Sequence, residues 1–324
     1  MKKYILKRLI GIIPMIVGIS LISFFVIHLA TGSPVDAVTD LNIKVSLEAK
    51  EKLIAEYGLD KPIIIQYMNW LRRIVFFDFG NSYRDGRKVL IKISERIPIT
   101  LLINVFSLIL ILLVAVPIGV TSAVKKDSIY DKCMTVFVFI GFAMPGFWLA
   151  LILMSVFGLK LGWLPVQGIT SLEFETFTFF GKIADVVKHL VLPVFVSALG
   201  ALAGMSRYMR SNMLEVLDKD YIRTARAKGL PESVVVYKHA LKNALLPVIT
   251  ILGLSIPGLI GGSVIFESVF GIPGVGRLFY ESVMARDYPV IMAMLIVGAF
   301  LTLIGNLVAD ISYSVVDPRI QIDK

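Results

Sequence analysis

Three histidines and one cysteine are the side chains with which this chain could bind a metal ion or perform nucleophilic chemistry, and their spacing supports neither. His28, His189 and His239 lie far apart, and none belongs to the H-E-x-x-H pattern that places two imidazoles on one helix face. A single cysteine, Cys133, cannot form an internal disulfide or a thiolate metal site and is predicted to pack as a small apolar residue. The stretch GIPGVGRL, residues 271–278, lacks the Lys-Ser/Thr ending of a phosphate-binding loop. The sequence therefore predicts a non-catalytic chain that binds no metal, nucleotide or other cofactor itself.

A short basic segment, YIRTARAKGL at residues 221–230, is the second chemically distinctive feature. Asp220 is predicted as the N-cap of a helix, and Tyr221 to Lys228 as about two turns. Gly229 supplies the left-handed residue that ends a helix, and Pro231 prevents its continuation. The segment is therefore predicted to form a short, rigid helix.

This predicted helix offers positive charge to a partner. Arg223 and Arg226 are three residues apart, so acidic groups of another protein could meet both. Helical spacing places Tyr221, Ala225 and Lys228 on one side, where the small alanine would allow close approach. Anionic lipid headgroups would satisfy the same charges, and the residues alone leave both partners open.

Membrane helices are predicted to hold these residues in place. Hydrophobic residues make up 56% of the 324 residues, and charged residues 18%, which is below the roughly 25% of soluble proteins. Six segments reach the length of about 20 residues that crosses a bilayer: 9–30, 100–124, 134–158, 190–206, 244–266 and 289–307. The net charge of +9 is attributed to cytoplasmic loops, because no basic face carries the aromatic residues of a nucleic-acid site. We predict an all-α polytopic membrane protein that binds no nucleic acid.

Basic residues predict the orientation. Lys2, Lys3, Lys7 and Arg8 precede the first span without a compensating acid, which places the N-terminus inside and, after six spans, the C-terminus inside as well. The first apolar stretch is longer than the core of a signal peptide, so an uncleaved span is predicted. The resulting organisation has three parts: the N-terminal tail and first span (1–31), an extracytoplasmic segment (32–99), and a core of five spans (100–324) with a cytoplasmic loop at 211–242.

The extracytoplasmic segment is predicted to contain a small helical cap. Ser46 begins one predicted helix, and Gly58 follows its end. A second helix starts near Pro62, with Ile65, Met68, Trp70 and Leu71 on or near its apolar side. The cap would serve either as a scaffold around a pore mouth or as a docking surface for another protein.

Charges within the membrane, with which secondary transporters couple to ion gradients, are almost absent from the predicted spans. His28 and Asp310 lie near span ends, and Asn104 and Asn306 are polar but do not titrate. The sequence shows neither the ring of charges nor the carbonyl filter of an ion channel. A stand-alone transporter, a channel and a membrane enzyme or scaffold are therefore disfavoured, and the energy source is predicted to lie on a partner.

The segment RTARAKG, followed by a second helix, resembles the EAA-x3-G loop of bacterial ABC importer permeases, the coupling helix that docks in a groove of the ATPase subunit. The Glu-Ala-Ala of that family corresponds to Arg223, Thr224 and Ala225, and its glycine to Gly229. The trailing Leu-Pro is displaced to residues 246–247. These departures match the dipeptide, oligopeptide and nickel permeases. Similar blocks cover nearly all of residues 1–320, among them DFGNSYRDGRKV, RIPITLLI, MPGFWLALIL and ESVFGIPGVGRLFYESVMARDYPVI.

The resemblance implies the first permease subunit of an importer in the cytoplasmic membrane of a bacterium or archaeon. Its implied partners are a second homologous permease, two ABC ATPase subunits that bind ATP and Mg²⁺, and an extracytoplasmic solute-binding protein. The implied cargo is dipeptides or oligopeptides, with nickel or another small solute as the alternative. ATP binding would move the coupling helix and, with it, spans four and five.

The resemblance also implies two functional surfaces. ATPase docking is assigned to Tyr221, Arg223, Thr224, Ala225, Arg226, Ala227, Lys228, Gly229 and Leu230. The outer mouth, on the side of the binding protein, is assigned to Gly274, Gly276, Arg277 and Arg286. The two arginines would meet a peptide carboxylate or the binding protein, or else form structural salt bridges with Glu267 or Glu281.

Glycines and prolines interrupt several spans. The pairs 117/119, 145/146 and 257/258 are predicted to be kinks and close-packing sites or, as the alternative, gating hinges. The small residues of SALGALAG, residues 197–204, predict tight contact with a neighbouring span or the partner permease.

Overall fold

The computed structural model describes residues 2–29, 54–55 and 58–316, and these residues are mainly helical. Within those ranges there is no β-strand, only an isolated antiparallel bridge between Asn81 and Lys88. The helices in chain order are α1 (Lys2–Leu29), α2 (Ile63–Val75), α3 (Val89–Val124), α4 (Ile129–Ala143), α5 (Gly146–Lys160), α6 (Phe179–Leu217), α7 (Asp220–Ala227), α8 (Glu232–Ser255), α9 (Val264–Val269), α10 (Val275–Met284) and α11 (Tyr288–Val316).

Several of these helices are suited to a membrane. In the described part of the chain, α3, α6, α8 and the Tyr288–Val308 part of α11 are each long and apolar enough to cross a bilayer. Helices α4 and α5 together form a fifth candidate span, although they are bent by 96° where they meet. Helix α1 contains a shorter apolar stretch, Ile10–Val26. The predicted all-α, polytopic membrane class is confirmed.

Two spans are longer than predicted. Helix α3 begins at Val89 rather than at residue 100, and α6 extends beyond residues 190–206 at both ends. Their 36 and 39 residues correspond to about 54 and 58 Å of helix, against a hydrocarbon core of roughly 30 Å. Both helices are therefore longer than a single crossing requires, and residues 89–99, predicted to belong to the extracytoplasmic segment, form the start of α3.

The third span was predicted as one helix over residues 134–158, and this is wrong. Helix α4 ends at Ala143, and α5 starts at Gly146 in a new direction. Met144 has an extended conformation (φ −78°, ψ 128°) because Pro145 disfavours the helical region for the residue before it. A Cβ on Gly146 would lie 2.8 Å from the ring of Phe266, so a glycine at this position allows α9 to pack closely against the bend. The Pro-Gly pair produces a sharp turn rather than a mild kink.

The fifth span, predicted over residues 244–266, is also interrupted. Helix α8 ends at Ser255, one 3-10 turn follows at Pro257–Leu259, and α9 begins at Val264. Asn104 of α3 donates from Nδ2 to the carbonyl oxygens of Leu259 (2.7 Å) and Gly261 (3.1 Å). A side chain of another span thus provides donors for carbonyls that the break removes from helical hydrogen bonding.

Helices α3 and α6 form the most extensive helix pair of the core. A Cβ on Gly119 of α3 would lie 2.7 Å from Met209 Cβ and 2.8 Å from the carbonyl oxygen of Ser206, so glycine allows the two backbones to approach closely. In the small-residue stretch, Ala198 and Ala203 are buried, as predicted. A Cβ on Gly200 or Gly204, by contrast, would meet no atom within 4 Å, so these glycines are not required for packing within the chain.

The predicted cap packs on α1 through aromatic residues. Tyr67 of α2 is buried, its hydroxyl lies 3.0 Å from Ser20 Oγ, and its ring contacts Phe24 edge to face. Trp70 and Leu71 belong to the same cluster, whereas Ile65 and Met68, also predicted to lie on or near the apolar side, are exposed. Gly58 has φ +65°, as expected of a residue past a helix end. The predicted start of that first helix, at Ser46, falls outside the described residues.

Candidate functional site

Helix α7 occupies the predicted basic segment. Lys219, with φ −72° and ψ 148°, is its N-cap, and Asp220 is the first helical residue, so the prediction of Asp220 as N-cap is wrong. The predicted end is confirmed: Lys228 is the C-cap, and Gly229 has φ +77°. The Gly229 N–H donates to the Arg226 carbonyl at 2.9 Å, and the Leu230 N–H to the Ala225 carbonyl at 3.4 Å. This Schellman-type pattern closes the helix at its glycine.

One face of α7 is embedded in the protein. Ile222 is fully buried and Ala225 nearly so, in an apolar cluster shared by the ends of three long helices. The other members are Val120 and Ala123 of α3, Met209 and Met213 of α6, and Val235, Val236, Ala240, Ala244 and Val248 of α8. Helix α7 is therefore anchored to all three. Ala225 lies on this inner face, so the prediction that it shares an outer side with Tyr221 and Lys228 is wrong.

The opposite face of α7 is exposed. The remaining predicted docking residues lie there or at the helix end: Tyr221, Arg223, Thr224, Arg226, Ala227, Lys228, Gly229 and Leu230. The Tyr221 hydroxyl accepts a hydrogen bond from Asn243 Nδ2 at 3.0 Å, which ties the helix to α8. The Thr224 hydroxyl donates to the Asp220 carbonyl at 2.9 Å. Two of the exposed side chains are thus held by hydrogen bonds to neighbouring residues.

Two arginines of α7 and its C-cap lysine differ in their availability to a partner. Arg226 donates from Nε and Nη2 to both carboxylate oxygens of Glu232, at 3.1 and 2.7 Å, so this chain already supplies its acidic partner. Arg223 lies 3.6 Å from the Asp220 carboxylate, in a pair that is largely exposed. Lys228 has no carboxylate within 4 Å among the described residues. Arg223 and Lys228, rather than Arg223 and Arg226, are the cations best placed to meet another molecule.

The predicted outer mouth is built around a buried acid, Glu267. Its carboxylate accepts hydrogen bonds from the Thr100 hydroxyl at 2.9 Å and from the Arg277 backbone N–H at 2.8 Å. A Cβ on Gly274 would collide with this carboxylate, and a Cβ on Gly276 would lie 2.6 Å from the backbone of Ser263. Both predicted glycines are therefore required by close packing of α9 against the start of α10.

The two predicted arginines have different surroundings. Arg277 donates from Nε to Glu281 at 2.8 Å, which is the structural alternative considered from the sequence; Glu267 receives only the backbone N–H of Arg277. Arg286 is half-buried and has φ +51°, a left-handed conformation that is uncommon for a residue with a Cβ. The structure does not bring Arg277 and Arg286 together in a common ion pair.

Next to Arg286 lies a buried polar network that sequence reasoning missed. Asp287 is 1% exposed and accepts hydrogen bonds from the Ser82 hydroxyl and the Tyr83 N–H, 2.5 and 2.9 Å away. Lys92 of α3 donates to Ser82 Oγ and to Asp85, at 2.9 and 2.8 Å. Burial opposes ionisation of Asp85, but this contact with Lys92 and the Arg87 N–H outweigh it, so the pKa of the Asp85 carboxyl lies below its usual value. The available signal was that Ser82, Tyr83, Asp85 and Asp287 fall in two of the recognisable blocks, which contain DFGNSYRDGRKV and MARDYPVI; Lys92 lies just after the first.

The isolated histidines make packing contacts. His28 stacks on Phe24, with ring centroids 4.0 Å apart, and its Nε2 lies 3.3 Å from Gln66 Oε1. His189 is buried, and its Nδ1 lies 2.8 Å from the Asp185 carbonyl oxygen. Cys133, predicted to be a packing residue, is exposed instead.

Comparison with known proteins identifies the family. Residues 115–322 match the family described as binding-protein-dependent transport system inner membrane component, and residues 1–104 match its N-terminal counterpart. The oligopeptide transport system permease protein AppB of Bacillus subtilis (strain 168) is 48% identical over 99% of this chain and 100% of its own length. A putative peptide permease protein of Brucella suis is 39% identical, and the dipeptide transport system permease protein DppB of Alkalihalophilus pseudofirmus 37%, each over 99% of this chain and its own full length. The chain therefore belongs to the family of inner membrane components of binding-protein-dependent transport systems.

Proposed function

We propose that this chain is a permease subunit of an ATP-binding-cassette importer and forms half of a pathway for dipeptides or oligopeptides. The observation that carries the proposal is the geometry of α7. In a chain of this family, a short helix with a basic exposed face is anchored by Ile222 and Ala225 to the ends of three long helices. The peptide class is supported by the names of the relatives, two of which are oligopeptide and dipeptide permeases.

The proposed topology has six spans with both termini inside. Helix α1, α3, the bent pair α4–α5, α6, α8 and α11 supply the six, in the cytoplasmic membrane of a bacterium or archaeon. The basic residues before the first span support this orientation. It places α7 in the cytoplasm, within the loop 211–242, and residues 32–88 and 267–288 on the outer side.

The proposed partners supply what this chain lacks. Two ABC ATPase subunits bind ATP and Mg²⁺ and meet the exposed face of α7, a second homologous permease completes the pathway, and a solute-binding protein delivers peptide outside. The chain itself acts as a non-catalytic membrane subunit. Arg277 and Arg286 lie in the proposed outer mouth, where the binding protein would approach.

In the proposed mechanism, α7 transmits the motion of the ATPases. ATP binding closes the ATPase pair and displaces α7, and the shared apolar cluster passes that displacement to α3, α6 and α8. The sequence suggested only spans four and five; the packing adds span two. For a decisive switch between inward- and outward-open forms, ATP must bind one form more tightly, by up to about 5.5 kcal/mol for a change from 1:99 to 99:1.

Reconstitution tests this proposal. The chain is co-purified with its second permease, ATPases and binding protein, and placed in vesicles with labelled peptides. We expect peptide uptake that requires both ATP and the binding protein, and no uptake when the ATPases are replaced by hydrolysis-deficient forms. Uptake of a nickel chelate but not of peptides would favour the alternative cargo, whereas transport against a gradient by this chain alone would refute the proposal.

A further inference from the structure

Helix α3 connects the two surfaces described above. It is continuous over 36 residues, or about 54 Å. Near its C-terminal end, Val120 and Ala123 belong to the cluster that anchors α7. Near its N-terminal end, Val89 and Ile93 pack in another cluster with residues of α10 and α11. One helix thus has the coupling surface at one end and the outer mouth at the other.

Four polar residues recur on α3 at intervals of four: Lys92, Arg96, Thr100 and Asn104. This spacing keeps neighbouring members on the same side of a helix. Each of them reaches a residue either in the break of the fifth span or in the chain that follows it. Lys92 lies 3.9 Å from Asp287, Arg96 donates to the Pro273 carbonyl at 3.2 Å, and Asn104 holds the carbonyls of Leu259 and Gly261. We call residues 92, 96, 100 and 104 the polar stripe, and residues 257–288 the outer segment.

Thr100 is the most enclosed member of the stripe, with 1% of its surface exposed. Its hydroxyl donates to Glu267 Oε1 at 2.9 Å and accepts from the Val275 N–H at 2.9 Å. A single oxygen therefore joins α3, α9 and the start of α10. Donating to a carboxylate while accepting from a backbone N–H requires a hydroxyl, because neither an aliphatic group nor an amine can do both here.

The outer segment packs tightly around Glu267, the carboxylate partner of Thr100. The second carboxylate oxygen of Glu267 accepts the Arg277 N–H, and glycine is needed at 262, 274 and 276 because a Cβ at each would collide with Glu267 or nearby backbone. Such a filled site leaves no room for Glu267 to shift independently. Displacement of Thr100 must therefore carry α9 and the start of α10 with it.

From these contacts we infer that the polar stripe, with Thr100 at its centre, is a positioning device that fixes the outer segment to α3, so that motion of α7 is delivered to the outer mouth. Thr100 touches no cargo; it acts through Glu267 and Val275. This inference rests on the proposed function, since it concerns how ATPase motion and delivery of cargo by the binding protein are coupled.

The test compares Thr100→Val with Thr100→Ser in the reconstituted complex. Valine keeps the shape of threonine but removes the hydroxyl, whereas serine keeps the hydroxyl. Losing a hydrogen bond to a charged group corresponds to about a tenfold change or more. We expect Thr100→Val to lower the ATPase stimulation caused by peptide-loaded binding protein about tenfold, with assembly and basal ATPase activity unchanged, and Thr100→Ser to behave as the wild type.

Arg96→Gln provides a second variant in case Thr100→Val does not assemble. It removes only the contact with the Pro273 carbonyl, and we expect the same loss of stimulation, about threefold, for one weaker hydrogen bond. Arg87→Gln is its matched control, because Arg87 pairs at the surface with Glu95 and does not reach the outer segment.

Three results decide the matter. Full stimulation in an assembled Thr100→Val complex, or in Arg96→Gln where the valine variant fails to assemble, overturns the inference. So does an equal loss of basal and stimulated ATPase activity, which is what a purely structural role would produce. The ATPase activity of the wild-type complex is measured first. If peptide-loaded binding protein does not stimulate that activity, it is the proposed function that fails, and not the role assigned to the polar stripe.

Discussion

Replacing Gly229 by valine should weaken the association of this chain with its ATPase subunits while leaving it inserted in the membrane. Gly229 has φ +77°, and no atom lies within 4 Å of the position that a Cβ would take. A Cβ therefore meets no steric obstacle there. The whole penalty comes from the backbone conformation, which for a residue with a Cβ is unfavourable by about 1–2 kcal/mol.

The size of the effect follows from that penalty. If the ATPase binds α7 only with its native C-terminal turn, 1–2 kcal/mol corresponds to a loss of about 5- to 30-fold in affinity. Alanine should fall at the lower end, and β-branched valine at or beyond the upper end. Asparagine is the matched control, because it adopts the left-handed conformation more readily than other residues with a Cβ. We expect the affinity for the ATPase to decrease in the order Gly, Asn, Ala, Val at position 229.

The assay is a titration of purified permease complex with tagged ATPase, accompanied by membrane fractionation and peptide uptake. All variants should be found in the membrane fraction at equal levels. Wild-type ATPase affinity in Gly229→Val would refute the assignment of α7 as the docking helix. An asparagine variant as weak as the valine variant would show that the backbone argument is wrong.

Three further substitutions test the anchoring of α7, the buried ion pair of Asp131 and the association with the binding protein. Ile222→Ala empties a fully buried site and should destabilise the anchoring of α7 by about 2–5 kcal/mol, seen as faster proteolysis of the 218–231 segment and fewer peptides moved per ATP. Tyr221→Phe removes only the exposed hydrogen bond to Asn243, so its effect on both measurements should be much smaller; equal effects of the two substitutions would contradict the role of Ile222. Asp131→Asn breaks the ion pair with Arg210, in which two hydrogen bonds measure 2.7 and 2.6 Å. Because Asp131 is buried, the free energy of unfolding should fall by about 3 kcal/mol or more, and the melting temperature of the detergent-solubilised complex should fall with it. An unchanged melting temperature would contradict this reasoning. Arg277→Gln removes a partly exposed ion pair with Glu281 that contributes about 0–1 kcal/mol, so folding should be unaffected. Association with the binding protein should be slower than in the wild type at low salt, where the charge is least screened. If the variant and the wild type associate at equal rates at all salt concentrations, Arg277 does not belong to the outer mouth.

Much of the fold could be predicted from the sequence because the signals are local. Length and apolar composition sufficed for the class and for the approximate place of the membrane helices. The end of α7 was also local, since Gly229 and Pro231 determine it within a few residues. The positions at which the spans break could not be predicted from local sequence. Pro145 and Pro257 each follow the end of a helical stretch, whereas Pro98, Pro117 and Pro193 lie inside continuous helices. A proline by itself does not distinguish a break from a tolerated kink, because that depends on what packs beside it.

The residue types and their order were enough to predict the chemical character of this protein: an apolar chain with few charges in its predicted spans and one basic, glycine-terminated helix. Which side of that helix is available depends on tertiary packing, because Ile222 and Ala225 are buried by residues of three other helices, among them Val120 and Ala123 of α3, about 100 positions earlier in the chain. The same holds for the polar stripe. Its four-residue spacing is visible in the sequence, but its partners lie 155 to 177 residues from Arg96, Thr100 and Asn104. Hydrogen-bond partners so distant in the chain are chosen by the packing of whole helices, and no local pattern records that choice.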